Sequence, residues 1–190
     1  MRKIVMFNLV TADGYFAGAD GNLDWFVNDK EFDRLAAELI RRFDTILFGR
    51  VTYELFKSYW PNALTDPATS PEDRVIAQKI HDMSKIVFST SVIDTDWNRS
   101  RVLSEVTVNE IEQLKSDDGG DIVIYGSSTI VQQLTDLGLV DEYQFIINPL
   151  ILGDGKPLFK RSSRLNLKLL DTKVFDSGNV FLHYEASKPS

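Results

Sequence analysis

The chain has 190 residues, no cysteine and two histidines, so disulfides, thiolate chemistry and zinc–cysteine sites are excluded and a protein-built metal centre has few ligands to draw on. Hydrophobic residues make up 43% and charged residues 26%, close to ordinary globular usage, and no apolar stretch approaches the roughly 18 residues of a membrane span. A net charge of −7 without a basic cluster argues against nucleic acid as a partner. The length suits one domain covering residues 1–190.

The N-terminus, MRKIVMFNLV, is interrupted by Asn8 and then by Thr11-Ala12-Asp13-Gly14, so it reads as a first strand, Lys3–Leu9, rather than a signal peptide, and a cytoplasmic location is expected. Phe32, Leu35, Ala36, Leu39 and Ile40 then trace one apolar stripe on a helix, with Asn28 and Asp29 as cap candidates. The apolar run Thr45–Phe48 predicts a buried strand, and it stops at Gly49-Arg50 with a helix following at once over Thr52–Tyr59. Pro61–Pro71 predicts a long surface excursion, with Trp60 as a packing anchor. Ser70 and Pro71 begin a helix to Met83, on which His81 is expected to be exposed. Lys85–Phe88 is a second buried strand, ending in Ser89-Thr90-Ser91, and Trp97 is a loop anchor. Asp117-Asp118 before Gly119-Gly120 reads as a turn.

Ile122–Tyr125 predicts another strand, after which Ser127 or Ser128 caps a helix carrying Ile130, Val131, Leu134 and Leu137 and ended by Gly138. The strand Tyr143–Ile147 is too apolar for a solvated edge, and Pro149 cannot donate to a central ladder, so the chain should leave the sheet there. The final strands, Leu165–Leu170 and Val180–Tyr184, are joined by Asp176-Ser177-Gly178-Asn179 and form an antiparallel hairpin in which His183 is half-buried. Strands alternating with helices predict an α/β architecture, a mixed and mostly parallel central sheet with helices on both faces and this hairpin at its end.

Ligands of parallel sheets bind at the carboxyl ends of strands, and three such ends look prepared. They are Gly49-Arg50-Val51-Thr52, Ser89-Thr90-Ser91 and Tyr125-Gly126-Ser127-Ser128-Thr129, which offer a fixed cation, hydroxyls and unpaired helix N–H groups to an elongated anion. Taken singly, each reads more simply as a turn glycine, a solvated arginine or a set of helix caps. Neither a GxGxxG fingerprint nor a P-loop pattern is present.

The order NLVTADGYFAG, LDW, ILFGRVTYE, VFSTS and DIVIYGSSTIVQQLTDLGLVDEYQFIINPLILGDGKPLF resembles the dihydrofolate-reductase-like family, in the branch of the C-terminal reductase domain of bacterial riboflavin deaminase-reductase. The resemblance implies a dihydrofolate-reductase-like three-layer fold and NADPH-dependent reduction of a small heterocycle, such as 5-amino-6-(5-phosphoribosylamino)uracil or dihydrofolate. It places Arg50 and Thr52 with Ser89, Thr90 and Ser91 at the adenosine 2′-phosphate side, beside Gly49 and Val51. Gly126 to Ile130, entered from Tyr125, would hold the pyrophosphate, and Phe16, Ala17 and Gly18 the nicotinamide ribose. Substrate would lie near Asn8, Asp13, Trp25 and the Leu152–Gly155 loop, which includes Gly153. Asp33 is the candidate proton donor on the first helix, and Trp25 is equally a core anchor. Family members pair as homodimers, for which Ile151, Leu152 or Phe159 is expected near the contact, the alternative being a monomer whose C-terminal hairpin covers the same surface. Tyr125 departs from the two adjacent glycines usual in the family. Without cysteines the chain lacks the ligands of a zinc deaminase. A catalytically idle nucleotide-binding module and a purely structural dimer are the rival readings.

Overall fold

The apolar runs pair into one eight-stranded sheet, seen in a computed structural model that describes residues 1–27, 29–91, 93–160 and 164–187. In chain order the elements are β1 (Ile4–Thr11), the short β2 (Tyr15–Ala17), α1 (Lys30–Leu39), β3 (Phe43–Gly49), α2 (Arg50–Ala63), α3 (Pro71–Asp82), β4 (Ser84–Phe88) and β5 (Ser100–Leu103). They continue with α4 (Val108–Ser116), β6 (Asp121–Gly126), α5 (Ser128–Asp136), β7 (Glu142–Asn148), β8 (Lys156–Pro157), β9 (Leu167–Val174) and β10 (Val180–Ala186). The strand order is β5-β4-β3-β6-β1-β7-β10-β9, with β2 and β8 forming a separate two-stranded ribbon. The first six strands are parallel, whereas β10 runs antiparallel to both β7 and β9. The α/β class, the mixed sheet and the terminal antiparallel pair are as the sequence pattern predicts.

Alternation along the central strands feeds two cores, as it must when both faces of a sheet are covered. Ile4, Met6 and Val10 of β1 pack with Ile111 and Leu114 of α4 and with Ile130, Val131 and Leu134 of α5. Val5 and Phe7 face the other way, toward Ala37 of α1, Tyr53 of α2 and Ile76 and Ile80 of α3. Three helix starts are closed by side chains. Asp29 accepts from the Phe32 N–H at 2.7 Å, Ser70 from Asp73 at 3.0 Å and Thr107 from Glu110 at 3.3 Å. Asn28, the other cap candidate for α1, lies outside the described residues.

Several boundaries differ from expectation. Helix α2 runs through Pro61 to Ala63, so the excursion before α3 is shorter than predicted; proline in a last turn removes a single hydrogen bond, and Ala63 is buried there. Strand β9 starts at Leu167, not Leu165, and extends to Val174 because it pairs along the whole of β10 through a bulge. His81 is half-buried rather than exposed, its Nδ1 enclosed without a partner. Strand β7 runs Glu142–Asn148, one residue longer at each end than Tyr143–Ile147, and leaves the sheet before Pro149 as expected, and Gly178 turns the final hairpin with φ +86°.

One feature of the topology makes room for a ligand. Strand β1 leads through α1, on one face, to β3; β6 leads through α5, on the other face, to β7, so the two connections cross the sheet in opposite directions. Strands β1 and β6 pair only from Ile4↔Ile122 to Met6↔Ile124 and then diverge. A crevice at such a reversal, beyond the carboxyl ends of the strands, is where open α/β sheets bind ligands.

Candidate active site

Asn8 of β1 reaches across the crevice to β6. Asn8, 5% exposed, donates from Nδ2 to the Tyr125 carbonyl at 2.9 Å, and its Oδ1 is buried with no partner among the described residues. Around it lies a cavity of about 660 Å³. One arm lies on the α5 face and is bounded by Phe16, Ala17, Ser127, Ser128, Thr129, Gly155, Lys156, Pro157 and Lys160. The other reaches between α1, α2, α3 and the sheet, with Phe7, Phe32, Asp33, Phe56, Trp60, Asp73 and Tyr125 among its walls.

The first turns of α2 and α5 meet at this cavity. A Cβ on Gly49 would collide with the Ser127 hydroxyl, and one on Gly126, whose φ is +132°, would lie 3.0 Å from Thr52 Oγ1. Only glycine permits that approach and that backbone angle. Neither helix has a side-chain cap hydrogen bond, in contrast to α1, α3 and α4. Their leading N–H groups therefore stay open, and two helix dipoles point their positive ends at one place. Such a pair is suited to a pyrophosphate or a similar anion. Val51, Thr52, Ser127, Ser128 and Thr129 line the space, while the Ile130 side chain is buried in the α5 core and only its backbone belongs to the turn.

The remaining expected residues sort less uniformly. Arg50 is exposed and paired with Glu54 at 3.1 Å, and it does not line the cavity. Ser89, Thr90 and Ser91 end β4, on the far side of β3 from β6, and Ser89 Oγ closes a local turn on Ser91; none lines the cavity. Phe16 and Ala17 do, but Gly18 belongs to the turn it makes with Gly21 and Asn22, whose side chain fills the place of its Cβ. Asp13, Leu152 and Gly153 are together yet outside: the Asp13 carboxylate accepts from the Thr11 hydroxyl and from the Leu152 and Gly153 N–H groups, so its acceptors are used in holding a loop. The Thr11 bond, then that from Gly153, lowers its pKa. Trp25 is buried and away from the cavity, a loop anchor rather than a substrate-facing ring.

Asp33 lines the aromatic arm, half-buried, and its pKa is raised first by burial and then by the negative charges of Asp73, Asp29 and Glu72. It can hold a proton more readily than a solvated carboxylate. Tyr125, in place of a glycine, is a wall: its ring stands 5.8 Å from Phe7 and 5.3 Å from Phe56, and burial raises its hydroxyl pKa. Asp73, Lys156, Lys160 and the rings of Phe7 and Phe56 escape sequence reading. Asp73 looks like an ordinary first-turn acid, and Lys156 is hidden within GDGKPLF; both reach the site only through long-range packing.

The fold has known counterparts. YyaP, an uncharacterized protein of Bacillus subtilis (strain 168), is 35% identical over 184 residues, which is 96% of this chain and 94% of that protein. Among solved structures, a Shewanella sp. PV-4 protein provisionally assigned to riboflavin biosynthesis matches with a TM-score of 0.76 at 21% identity, covering 98% of this chain and 99% of that one. Dihydrofolate reductase from Enterococcus faecalis, solved in complex with NADP(H), matches with a TM-score of 0.64 at 15% identity over 98% of this chain and 97% of that one. These two likenesses establish the dihydrofolate-reductase-like fold. The family model described as the RibD C-terminal domain covers residues 2–181, and the chain belongs to that family.

Proposed function

We propose that the protein is an NADPH-dependent oxidoreductase that reduces a small heterocycle, acting as a single domain over residues 1–190. The observation that carries this reading is the meeting of two uncapped helix N-termini at a cavity whose other arm is aromatic. The residues fit a dinucleotide. The Gly49–Thr52 and Gly126–Thr129 turns would hold its pyrophosphate with backbone N–H groups and hydroxyls, with Lys156 and Lys160 supplying counter-charge. Arg50 can leave Glu54 for a 2′-phosphate at little cost, since exposed i,i+4 ion pairs contribute only about 0.3–0.5 kcal/mol. Ser89, Thr90 and Ser91 would flank it from the neighbouring strand end. Phe16 and Ala17 would lie along the nicotinamide ribose.

When bound, NADPH supplies the hydride, and the substrate carbon that receives it requires one proton on an adjacent atom for balance. The chain's own contribution is positioning and proton supply. Asn8 Oδ1 orients a substrate N–H or O–H, and Asp33, whose pKa is raised by burial and its acidic neighbours, is the donor. The family and the NADP(H) complex of the Enterococcus relative support this reading.

We further infer a homodimer in the cytoplasm. Ile151 is 70% exposed, and the β9 edge leaves Leu167, Leu169 and Val174 open, an apolar surface that pairing with a second copy near Ile151, Leu152 and Phe159 would cover. Among the described residues no helix is long and apolar enough to cross a membrane. The test is thermal unfolding with NADPH and NADH, followed by NADPH oxidation with a panel of pterins, flavins and aminouracils. At 100 times its dissociation constant, NADPH should add about 2.7 kcal/mol. Binding without turnover across the panel would leave an idle nucleotide-binding module, and no binding would overturn the reading.

A further inference from the structure

Helix α3 has a second face. Asp73, Ile76 and Ile80, on one side of it, wall the cavity, whereas Arg74, Val75, Gln78 and Asp82 line a separate open groove of about 720 Å³ that shares no lining residue with the cavity. Lys79 joins them, and so does Arg41, from the short connection between α1 and β3. Three cations therefore line one groove in a chain whose net charge is −7. None of the three makes an ion pair among the described residues. Asp82 is the one carboxylate among the described lining residues, and Gln78 Nε2 donates to it at 3.0 Å. Arg74 spends a single donor, Nη2, on the Asp66 carbonyl at 3.1 Å.

One exposed cation on an acidic protein is ordinary, but three around one recess focus a positive potential there. The two guanidiniums have the planar fork that matches phosphate oxygens in a bidentate way, the ammonium adds a point charge, and Thr69 and Gln78 offer neutral donors. The apolar lining is small, Val75 and Pro71, so the groove suits a compact polyanion better than a peptide with side chains to bury. We propose that the groove is a second anion site, for a small phosphate-rich molecule of the size of a di- or triphosphate, and that its occupant regulates the cavity through α3. The physical link is short. Arg41 follows α1 closely, Ala37 of α1 shares a core with Ile76 and Ile80 of α3, and both helices wall the aromatic arm. An anion held by Arg41 together with Arg74 and Lys79 ties the end of α1 to α3, the two helices between which that arm lies.

The test uses the full-length protein and tripolyphosphate, titrated calorimetrically at low salt, with a hexaglutamate peptide alongside. Tripolyphosphate should bind, weaken as salt is raised, and lose about tenfold in affinity in R41A/R74A, the least that one hydrogen bond between charged groups contributes. Both side chains are exposed, so the variant should unfold at the wild-type midpoint. Equal affinity in wild type and variant would put the anion elsewhere, the strand-end turns included, and would overturn the proposal, as would no binding at all. Hexaglutamate bound as tightly as tripolyphosphate, and equally weakened in R41A/R74A, would overturn the ligand class in favour of an acidic polypeptide. Regulation is read by hydrogen exchange: tripolyphosphate should slow exchange in both α1 and α3 of the wild type and in neither helix of the variant. Binding without that change would overturn the link to the cavity. None of these readings requires NADPH to bind, so failure of the reductase reading would appear separately, in the thermal shift with NADPH.

Discussion

The two ends of the central sheet carry similar residue types and use them in opposite ways. At the amino ends of the strands, the buried charges are met. Glu142, its side chain 3% exposed, accepts from Lys3 at 2.7 Å, from Arg42 at 2.7 and 3.2 Å, and hydrogen-bonds His183 at 2.9 Å. Asp121 accepts from Arg42 and from the Lys3 N–H, and Asp141 from the Ile4 N–H and Lys115. Arg2 donates to Asp44, Thr45 and the carbonyls of Gly120 and Leu114. At the carboxyl ends, Asn8 keeps a buried oxygen unused, Asp33 sits among carboxylates, and two helices start uncapped. Saturated polar clusters hold a fold together, whereas unsaturated ones cost stability and persist where something else is to be bound.

The largest expected effect belongs to the saturated end. Burial alone would raise the Glu142 pKa, but bonds from His183, Arg42 and Lys3 outweigh it and hold the carboxyl far below the ordinary glutamate value of 4.5. Removing it in Glu142→Ala leaves Arg42 and Lys3 without their shared partner and should cost about 3–5 kcal/mol in urea unfolding, with ligand affinity of the folded protein unchanged. Because the folded pKa is depressed, the unfolded chain binds more protons, so this contribution is complete above pH 4.5 and is lost as pH falls through the folded value. The difference between wild type and variant should therefore shrink below that pH. A pH-independent difference, or a loss of ligand affinity equal to the loss of stability, would erase the contrast between the two ends.

Next in size is a binding effect with almost no stability effect. Arg50→Ala should weaken NADPH by about 1.5–3 kcal/mol, the range for a hydrogen bond to a charged group, and leave NADH nearly unaltered. Its lost pairing with Glu54 is exposed on both sides, so the unfolding midpoint should barely move. Isothermal titration with both cofactors decides. Equal weakening of NADPH and NADH would remove Arg50 from the 2′-phosphate.

What the sequence made legible follows from how local the cause is. Strands β1, β3, β4, β6, β7, β9 and β10, the amphipathic helices α1, α3 and α5, and the strand-end turns at Gly49 and Gly126 are readable because periodicity and cap residues act within a few positions, whereas the short strands β2, β5 and β8 and the helix α4 carry too little pattern to be read. The GR-x-TYE and GDGKPLF blocks sufficed for the family. Side-chain destinations were not readable. Lys85 looks like a solvated strand start, yet it is fully buried, donates to the carbonyls of His81, Met83 and Asn98, and has its pKa pushed down to about 8 by burial. Asp13 and Trp25 lie in the expected loops but turn to their own loops' needs. Asp73 comes to the cavity beside Asp33 only because α1 and α3 are neighbours on the sheet, a fact no local pattern contains. Even the acidic pair in LVDEYQF, Asp141 and Glu142, serves the saturated end rather than the site.

The smallest expected effect sharpens the comparison most, because it sets two asparagines of adjacent strands against each other. Asn148, at the end of β7, is fully used: its Oδ1 accepts from the Val27 N–H at 3.0 Å, and its Nδ2 donates to the Ile146 and Val10 carbonyls at 3.3 and 3.5 Å. Asn148→Leu should cost about 1–3 kcal/mol, since it strands buried backbone groups. Asn8 makes one bond, to the Tyr125 carbonyl, and leaves Oδ1 buried without a partner. In Asn8→Leu the lost bond is offset by relief of that orphaned oxygen, so the net change should be about 1 kcal/mol or less. Its catalytic cost should be larger than its structural one, with kcat/KM for any accepted substrate falling about tenfold, the value of one hydrogen bond of about 1.4 kcal/mol. Chemical denaturation and steady-state kinetics on the same preparations separate the two. If Asn8→Leu proved as destabilising as Asn148→Leu while leaving kcat/KM intact, Asn8 would join the saturated residues and would no longer count as a ligand acceptor in the crevice.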